Sequence, residues 1–252
     1  MKTAIITGAS EGLGRELILA AAEQFPEIES YWLIARSEEK LRQSAELLQG
    51  RETHILPLDL RRDESYDILR RLLEEVRPDV ALLVNNAGCG MLGNVGDGPL
   101  EDQLTMIDLN VRGLTAVTHL TLPYMGEGSR VVNISSIAAF CPNPRLTVYS
   151  ATKSFVNAFT RGIGDELRSY GVSATAVCSG PMDTAFIYNG GIKGNSKKFE
   201  KLPFCDPAQV ARGAMRAAAA GKAVYTPKGY YKLFRFVAKL LPQSLVINMT
   251  RT

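Results

Sequence analysis

Short runs rich in Val, Ile and Leu recur along the chain, each followed by a longer amphipathic stretch. They lie at Ala4 to Thr7, Tyr31 to Ala35, His54 to Leu58, Val80 to Asn85, Arg130 to Ser135 and Val172 to Cys178. Runs that are apolar throughout suit strands buried on both faces, and successive parallel strands need a crossover helix between them. The intervening stretches supply such helices: from Leu13 to Phe25, Leu41 to Leu48 and Ile68 to Val76 the apolar residues fall three and four apart. The pattern predicts an α/β fold built on a doubly wound parallel sheet with helices on both faces.

No internal repeat and no Pro/Gly/Ser linker divides the chain, so residues 1–252 read as a single domain. Hydrophobic content of 46% excludes disorder, and the absence of a repeat excludes collagen and coiled coil. The formal charge of +3, from 29 Lys and Arg against 26 Asp and Glu, is too small and too dispersed for a nucleic-acid footprint, and no nucleic-acid partner is expected. Cys89, Cys141, Cys178 and Cys205 lie far apart without a C-x-x-C pair, which argues against a zinc site or a disulfide framework and for reduced thiols. The first apolar run is too short for a signal peptide, and no run reaches the roughly 18 residues of a membrane span. A cytoplasmic protein is expected, so the glycosylation-like triplets at Asn133 and Asn248 read as chance.

Two segments break the alternation. Residues 185–206, with Gly190-Gly191, Gly194 and Lys197-Lys198, read either as a mobile substrate loop over a site or as a plain surface insertion. In the C-terminal tail, residues 228–252, Tyr230, Leu233, Phe234, Val237, Leu240 and Leu241 form one helical stripe. Lys232, Arg235 and Lys239 lie off it, and Pro242 stops the helix. Docking of this stripe on the protein's own core or on a subunit neighbour is preferred over weak contact with an anionic membrane surface.

Thr7-Gly8-Ala9-Ser10-Glu11-Gly12-Leu13-Gly14 follows the first run and opens the first helix. Unpaired N–H groups and the positive helix end favour an anion there, and missing side chains let a pyrophosphate approach the backbone. The same residues contain G-x-S-x-G, a serine hydrolase's nucleophile elbow with Ser10 as nucleophile, and spacing does not separate the two readings. Position favours the phosphate seat. An elbow needs an oxyanion donor from an earlier strand–helix loop and a base late in the chain, whereas a single strand precedes Ser10 and the histidines are His54 and His119. About 20 positions beyond the turn, where an acidic residue would read a ribose 2′-OH, stand Ala35, Arg36 and Ser37. A guanidinium suits a 2′-phosphate, so NADP(H) is favoured over NAD(H).

Tyr149-Ser150-Ala151-Thr152-Lys153 opens an amphipathic run from Val148 to Tyr170, placing Tyr149 and Lys153 one turn apart on one face. Moving a phenol about three pKa units toward neutrality takes roughly 4 kcal/mol. An ammonium about 4 Å away at an effective dielectric of ~20 supplies that order.

With these motifs in place the sequence resembles the short-chain dehydrogenase/reductase family from Thr3 to about Thr184, with the glycine turn, Asp59-Leu60, Asn85-Asn86-Ala87-Gly88, Asn110, Ser136, Tyr149 and Lys153 in family order. Ser136 stands 13 positions before Tyr149, which selects it over Ser135. The resemblance implies a Rossmann-type fold and hydride transfer between NADP(H) and a ketone or secondary alcohol. It makes Tyr149 the acid/base, Ser136 a donor to the substrate oxygen, Lys153 a modulator of the phenol and a holder of the nicotinamide ribose, and Asn110 an anchor for a proton-relaying water. Cofactor contacts are implied at Gly8, Ser10, Glu11, Gly12, Leu13, Gly14, Arg36, Ser37, Asp59, Leu60, Asn86, Ala87, Gly88, Gly180, Met182 and Thr184. Two positions depart from the family: Ser179 replaces a customary proline, and Glu11 stands where NADP-preferring members often carry a cation.

By the family's layout Cys89, Gly90, Met91, Leu92, Ala138, Phe140, Met182, Phe186 and Tyr188 would face the substrate, and their character implies a lipophilic ketone or alcohol, hydroxysteroid-like or oxoacyl-like. A homodimer or homotetramer is likewise implied. A non-catalytic NADP(H)-binding sensor or scaffold of the same fold is the alternative, against which the intact Ser, Tyr and Lys set argues.

Overall fold

The computed structural model describes residues 1–250, apart from the side chains of Lys197, Lys198 and Met249. The last two residues of the predicted tail therefore lie outside the described residues, as do the Lys197-Lys198 side chains of the predicted loop.

The strands are β1 (Lys2–Thr7), β2 (Ser30–Ala35), β3 (Glu52–Pro57), β4 (Asp79–Asn85), β5 (Arg130–Ile134), β6 (Ser173–Val177) and β7 (Val224–Tyr225). The helices are α1 (Leu13–Gln24), α2 (Glu38–Ala45), α3 (Asp63–Val76), α4 (Leu100–Ile107), α5 (Leu114–Thr121), α6 (Thr147–Glu166), α7 (Ala185–Asn189), α8 (Lys197–Glu200), α9 (Pro207–Ala219), α10 (Gly229–Leu240) and α11 (Gln243–Thr250). All seven strands are parallel, in the order β3-β2-β1-β4-β5-β6-β7. The chain starts in mid-sheet, winds outward through β2 and β3, then returns to β4 on the other side of β1. That reversal opens a crevice at the carboxyl ends of β1 and β4, the usual seat of a ligand in such sheets.

The strands are apolar throughout because both sheet faces are covered. On β1, Ala4 and Ile6 pack with Leu17 and Ile18 of α1 and with Val210, Ala214 and Met215 of α9. Ile5 points the other way, among Leu69 and Leu73 of α3, Val117 of α5 and Ile163 of α6. Between α4 and α5 the chain makes a π-helical turn at Asp108–Gly113, an irregularity often found beside functional sites.

The predicted strands and crossover helices form with small changes at their ends. β7 carries no apolar run; it is a two-residue edge strand held by Ala176↔Val224 and Val177↔Tyr225 pairing. Residues 185–206 are not structureless, since α7 and α8 fold within them. α10 ends just before Pro242, as the proline requires, but it seats on a different face from the expected one. Tyr231, outside the predicted stripe, is fully buried, while Tyr230, Leu233, Leu240 and Leu241 remain exposed. Among the described residues no helix is long and apolar enough to cross a membrane.

Candidate active site

The glycine turn is a place where side chains do not fit. A Cβ on Gly14 would lie 2.0 Å from the Gly8 carbonyl oxygen, and Gly8, at φ +63°, has the Asn86 amide and Ala87 backbone within 2.9 Å of its own would-be Cβ. Gly12 enters α1 with φ 53° and no side chain caps the helix, so its leading N–H groups face the crevice. Thr7 Oγ1 accepts from the N–H groups of Asn86 and Ala87, each at 3.0 Å, and Asn86 Nδ2 donates to the Gly8 carbonyl at 2.9 Å. The turn and the Asn-Ala-Gly segment are thereby bolted together, making an uncapped helix end with bare backbone around it. These residues fit the pyrophosphate of a dinucleotide.

Around it runs one cavity of about 1120 Å³. Every cofactor residue expected from the sequence lines it: Gly8 and Ser10 through Gly14, Arg36 and Ser37, Asp59 and Leu60, Asn86 through Gly88, Tyr149, Lys153, Gly180, Met182 and Thr184. Ser37 caps α2 by accepting from the Lys40 N–H at 3.4 Å. Sequence reasoning missed two cations in this region. Lys40 pairs with Glu11 at 2.6 Å, and Arg61 clamps the Asp59 carboxylate, with the closest contact at 2.5 Å. That clamp and the nearby Arg36 hold Asp59 below the usual carboxylate range. Both cations lie within a few residues of motifs already singled out, which is the only signal they gave. The alternative nucleophile has no histidine beside it among the described residues: His54 bonds to Glu52 on β3, His119 lies on α5, and neither lines the cavity that holds Ser10.

Tyr149 occupies the first turn of α6, with Lys153 on the next, and both are buried. Lys153 Nζ donates to the Ile134 carbonyl at 2.9 Å and lies 5.9 Å from the centre of the Tyr149 ring. Ser135 donates to the Lys153 carbonyl at 2.8 Å, so it ties β5 to α6, whereas the Ser136 hydroxyl, which accepts from the Ala138 N–H at 3.1 Å, is near enough to the Tyr149 phenol to pull its pKa down. The spacing thus selects the serine that meets the tyrosine.

Two expectations change here. Burial pushes the Tyr149 phenol up to about 12, against the pull of Ser136, and pushes the Lys153 ammonium down to about 8. Lys153 is not among the groups that lower the phenol: its ammonium is turned to the Ile134 carbonyl, and burial dominates both side chains. Asn110 does not line the cavity. Its amide accepts from Cys89 N–H at 2.9 Å and donates to the Cys89 carbonyl at 2.8 Å and to Thr152 Oγ1 at 3.0 Å. It stands behind Gly88, whose would-be Cβ lies 2.9 Å from Asn110 Oδ1 and 3.3 Å from Lys153 Nζ. Its side chain positions the Gly88–Cys89 backbone.

Of the residues expected to face a substrate, Cys89, Gly90, Met91, Ala138, Met182 and Phe186 line the cavity, and Leu92, Phe140 and Tyr188 do not. The Phe140 ring packs beneath α10 against Phe234, Tyr188 is exposed and bonded to Lys193, and the Leu92 backbone is tied to Gly190. Their places are taken by Ile187, Ile192, Phe199 and Leu202 from residues 185–206, and by Tyr230, Tyr231, Phe234 and Thr250 from α10 and α11. Tyr231 presses on the cofactor loop: a Cβ on Gly180 would lie 2.3 Å from its ring.

Comparison with known proteins accords with this arrangement. The pattern of the short chain dehydrogenase family matches residues 2–190. Sulfoacetaldehyde reductase 2 of Chromohalobacter salexigens is 39% identical over 195 residues, covering 74% of this chain and 76% of the relative. An uncharacterized oxidoreductase of Staphylococcus aureus is 31% identical over 186 residues, 73% and 79% of the two chains. A short-chain dehydrogenase from Sphingobium yanoikuyae, solved in complex with NADPH, superposes with a TM-score of 0.81 at 25% identity, covering 98% of this chain and 95% of that one. A variant actinorhodin polyketide ketoreductase with NADPH gives 0.76 at 26%, covering 91% and 97%. The chain belongs to the short-chain dehydrogenase family and is an NAD(P)-dependent oxidoreductase acting on CH–OH and C=O groups.

Proposed function

We propose that the protein uses NADP(H) to reduce a lipophilic ketone, or to oxidise the matching secondary alcohol, with Tyr149 as the acid/base. The observation that carries this reading is the convergence of the Ser136 and Tyr149 hydroxyls in a cavity walled by Phe186, Ile187, Ile192, Phe199, Leu202 and Phe234. Such walls remove apolar surface from water, and Asn143, Asn189 and Lys201 are polar side chains set among them. The uncapped turn at Gly12 would hold the pyrophosphate, Arg36 the 2′-phosphate, and Lys153 the nicotinamide ribose. NADPH supplies the hydride when bound. Tyr149, protonated throughout the neutral range, gives its proton to the carbonyl oxygen, and Ser136 donates a hydrogen bond to that oxygen as it gains charge. A phenol pushed up by burial is protonated as ketone reduction requires, and alcohol oxidation needs it deprotonated first.

The four cysteines are free thiols, which supports a reducing, cytoplasmic setting. Exposed Leu100, Leu104 and Ile107 on α4 support a homo-oligomer. Titration with NADPH and NADH, followed by a ketone panel that includes steroids and oxoacyl compounds, tests the reading. NADPH consumption on lipophilic ketones sustains it. Binding without turnover across the panel, unaffected by Tyr149→Phe, favours the sensor instead.

A further inference from the structure

We propose that the outer face of α10, continued by Leu241 and Leu245, docks on the surface of an anionic lipid bilayer. The inner face of α10 is anchored, with Tyr231 fully buried and bonded to the Pro203 carbonyl at 2.7 Å. The opposite face is apolar and bare: Leu233 is 61% exposed, Phe236 61% and Leu240 65%. Lys232 and Lys239 flank this face on the same helix, while Lys228 before it bonds to the Phe204 carbonyl and the Arg235 guanidinium lies over the Phe140 ring, and no Asp or Glu occurs between Asp206 and Thr252. An apolar stripe with cations beside it, presented by a helix lying flat, is the arrangement that binds at the headgroup level of acidic lipids.

Charge distinguishes this occupant from a second copy of the chain. A twofold contact sets each patch against itself, bringing the Lys232 and Lys239 ammoniums of one copy to those of the other with no carboxylate on the segment to offset them. An anionic surface is complementary over the whole patch. Tyr230 adds a second reason: it is 57% exposed on this helix and also lines the cavity, so the cavity rim reaches the docking face. Docking therefore places the mouth of an apolar cavity where lipophilic molecules partition.

Flotation of the full chain with vesicles tests the docking without any turnover, so it stands or falls apart from the reductase reading. Wild type is expected to float with vesicles of phosphatidylglycerol and phosphatidylcholine in equal parts, to stay behind with pure phosphatidylcholine, and to be released at about 0.5 M salt. K232E/K239E and L233S/F236S/L240S should each bind about tenfold more weakly while melting at the wild-type temperature. Failure of wild type to float with the anionic vesicles, or equal flotation of all three proteins, overturns the proposal. So does a fall in sedimenting mass of the triple variant without any vesicle binding by wild type, which assigns the face to a second copy.

Discussion

On the nucleotide side of the cavity, residues 7–14 and 85–88 are drawn together by the Thr7 and Asn86 side chains until backbone meets backbone, and Gly8 and Gly14 leave no space for even a methyl group. On the substrate side, Phe199, Tyr231 and Thr250 converge from segments that are distant in sequence, and Gly191 and Gly194 stand in open space. The first region is made by what side chains are missing, the second by which side chains arrive. Backbone contacts admit almost no substitution. Apolar walls tolerate exchange and set the shape of the space, so on the reading proposed above the first region serves nucleotide binding and the second substrate choice.

The contrast breaks if Gly14→Ala retains nucleotide affinity. With its Cβ 2.0 Å from Gly8 oxygen, that variant should lose NADPH binding by more than about a hundredfold, whereas Gly191→Ala, meeting nothing but carrying φ +61°, should cost about 1 kcal/mol of stability and bind normally. Calorimetric titration and thermal melting compare the two. Tyr149→Phe should lower kcat by about a thousandfold with NADPH affinity unchanged, which stopped-flow absorbance at the nicotinamide band would read. Arg36→Ala should weaken NADPH by roughly tenfold to a hundredfold and leave NADH alone, narrowing the cofactor preference. pH sharpens the comparison within the catalytic pair: below the phenol pKa of about 12 the phenolate fraction rises tenfold per unit, so through pH 7 to 9 kcat/KM for alcohol oxidation should climb relative to that for ketone reduction, the loss of the Lys153 charge near 8 falling on both directions. The smallest effect belongs to the walls. Phe199→Ala should raise KM for a bulky ketone several-fold and change kcat little, as expected for binding shared by ground and transition states.

The same contrast explains what could be read in advance. The sheet is legible because burial on both faces leaves no polar alternation in β1, β2 and β4. The glycine turn, Asn86, Ser136 and Tyr149 are legible because their spacing along the chain fixes their spacing in the crevice. Arg61 and Lys40 escape notice because a cation outside the core carries no periodic signature, and the face of α10 is misjudged because apolar residues lie on both sides of that helix. The Tyr149 pKa is missed for a physical reason: proximity to Lys153 can be counted along a helix, but the depth of burial that overrides it cannot.

Gly180 and Tyr231 touch so closely that the strip of chain beside the nicotinamide site and the roof over the substrate space share a single aromatic ring. Linkage then runs both ways: by whatever factor nucleotide tightens the hold on substrate, substrate tightens the hold on nucleotide. The outer face of α10 and the Gly180 loop are thus separated by the thickness of one side chain, so a change of shape at Tyr231 bears on the helix seat and on the loop together.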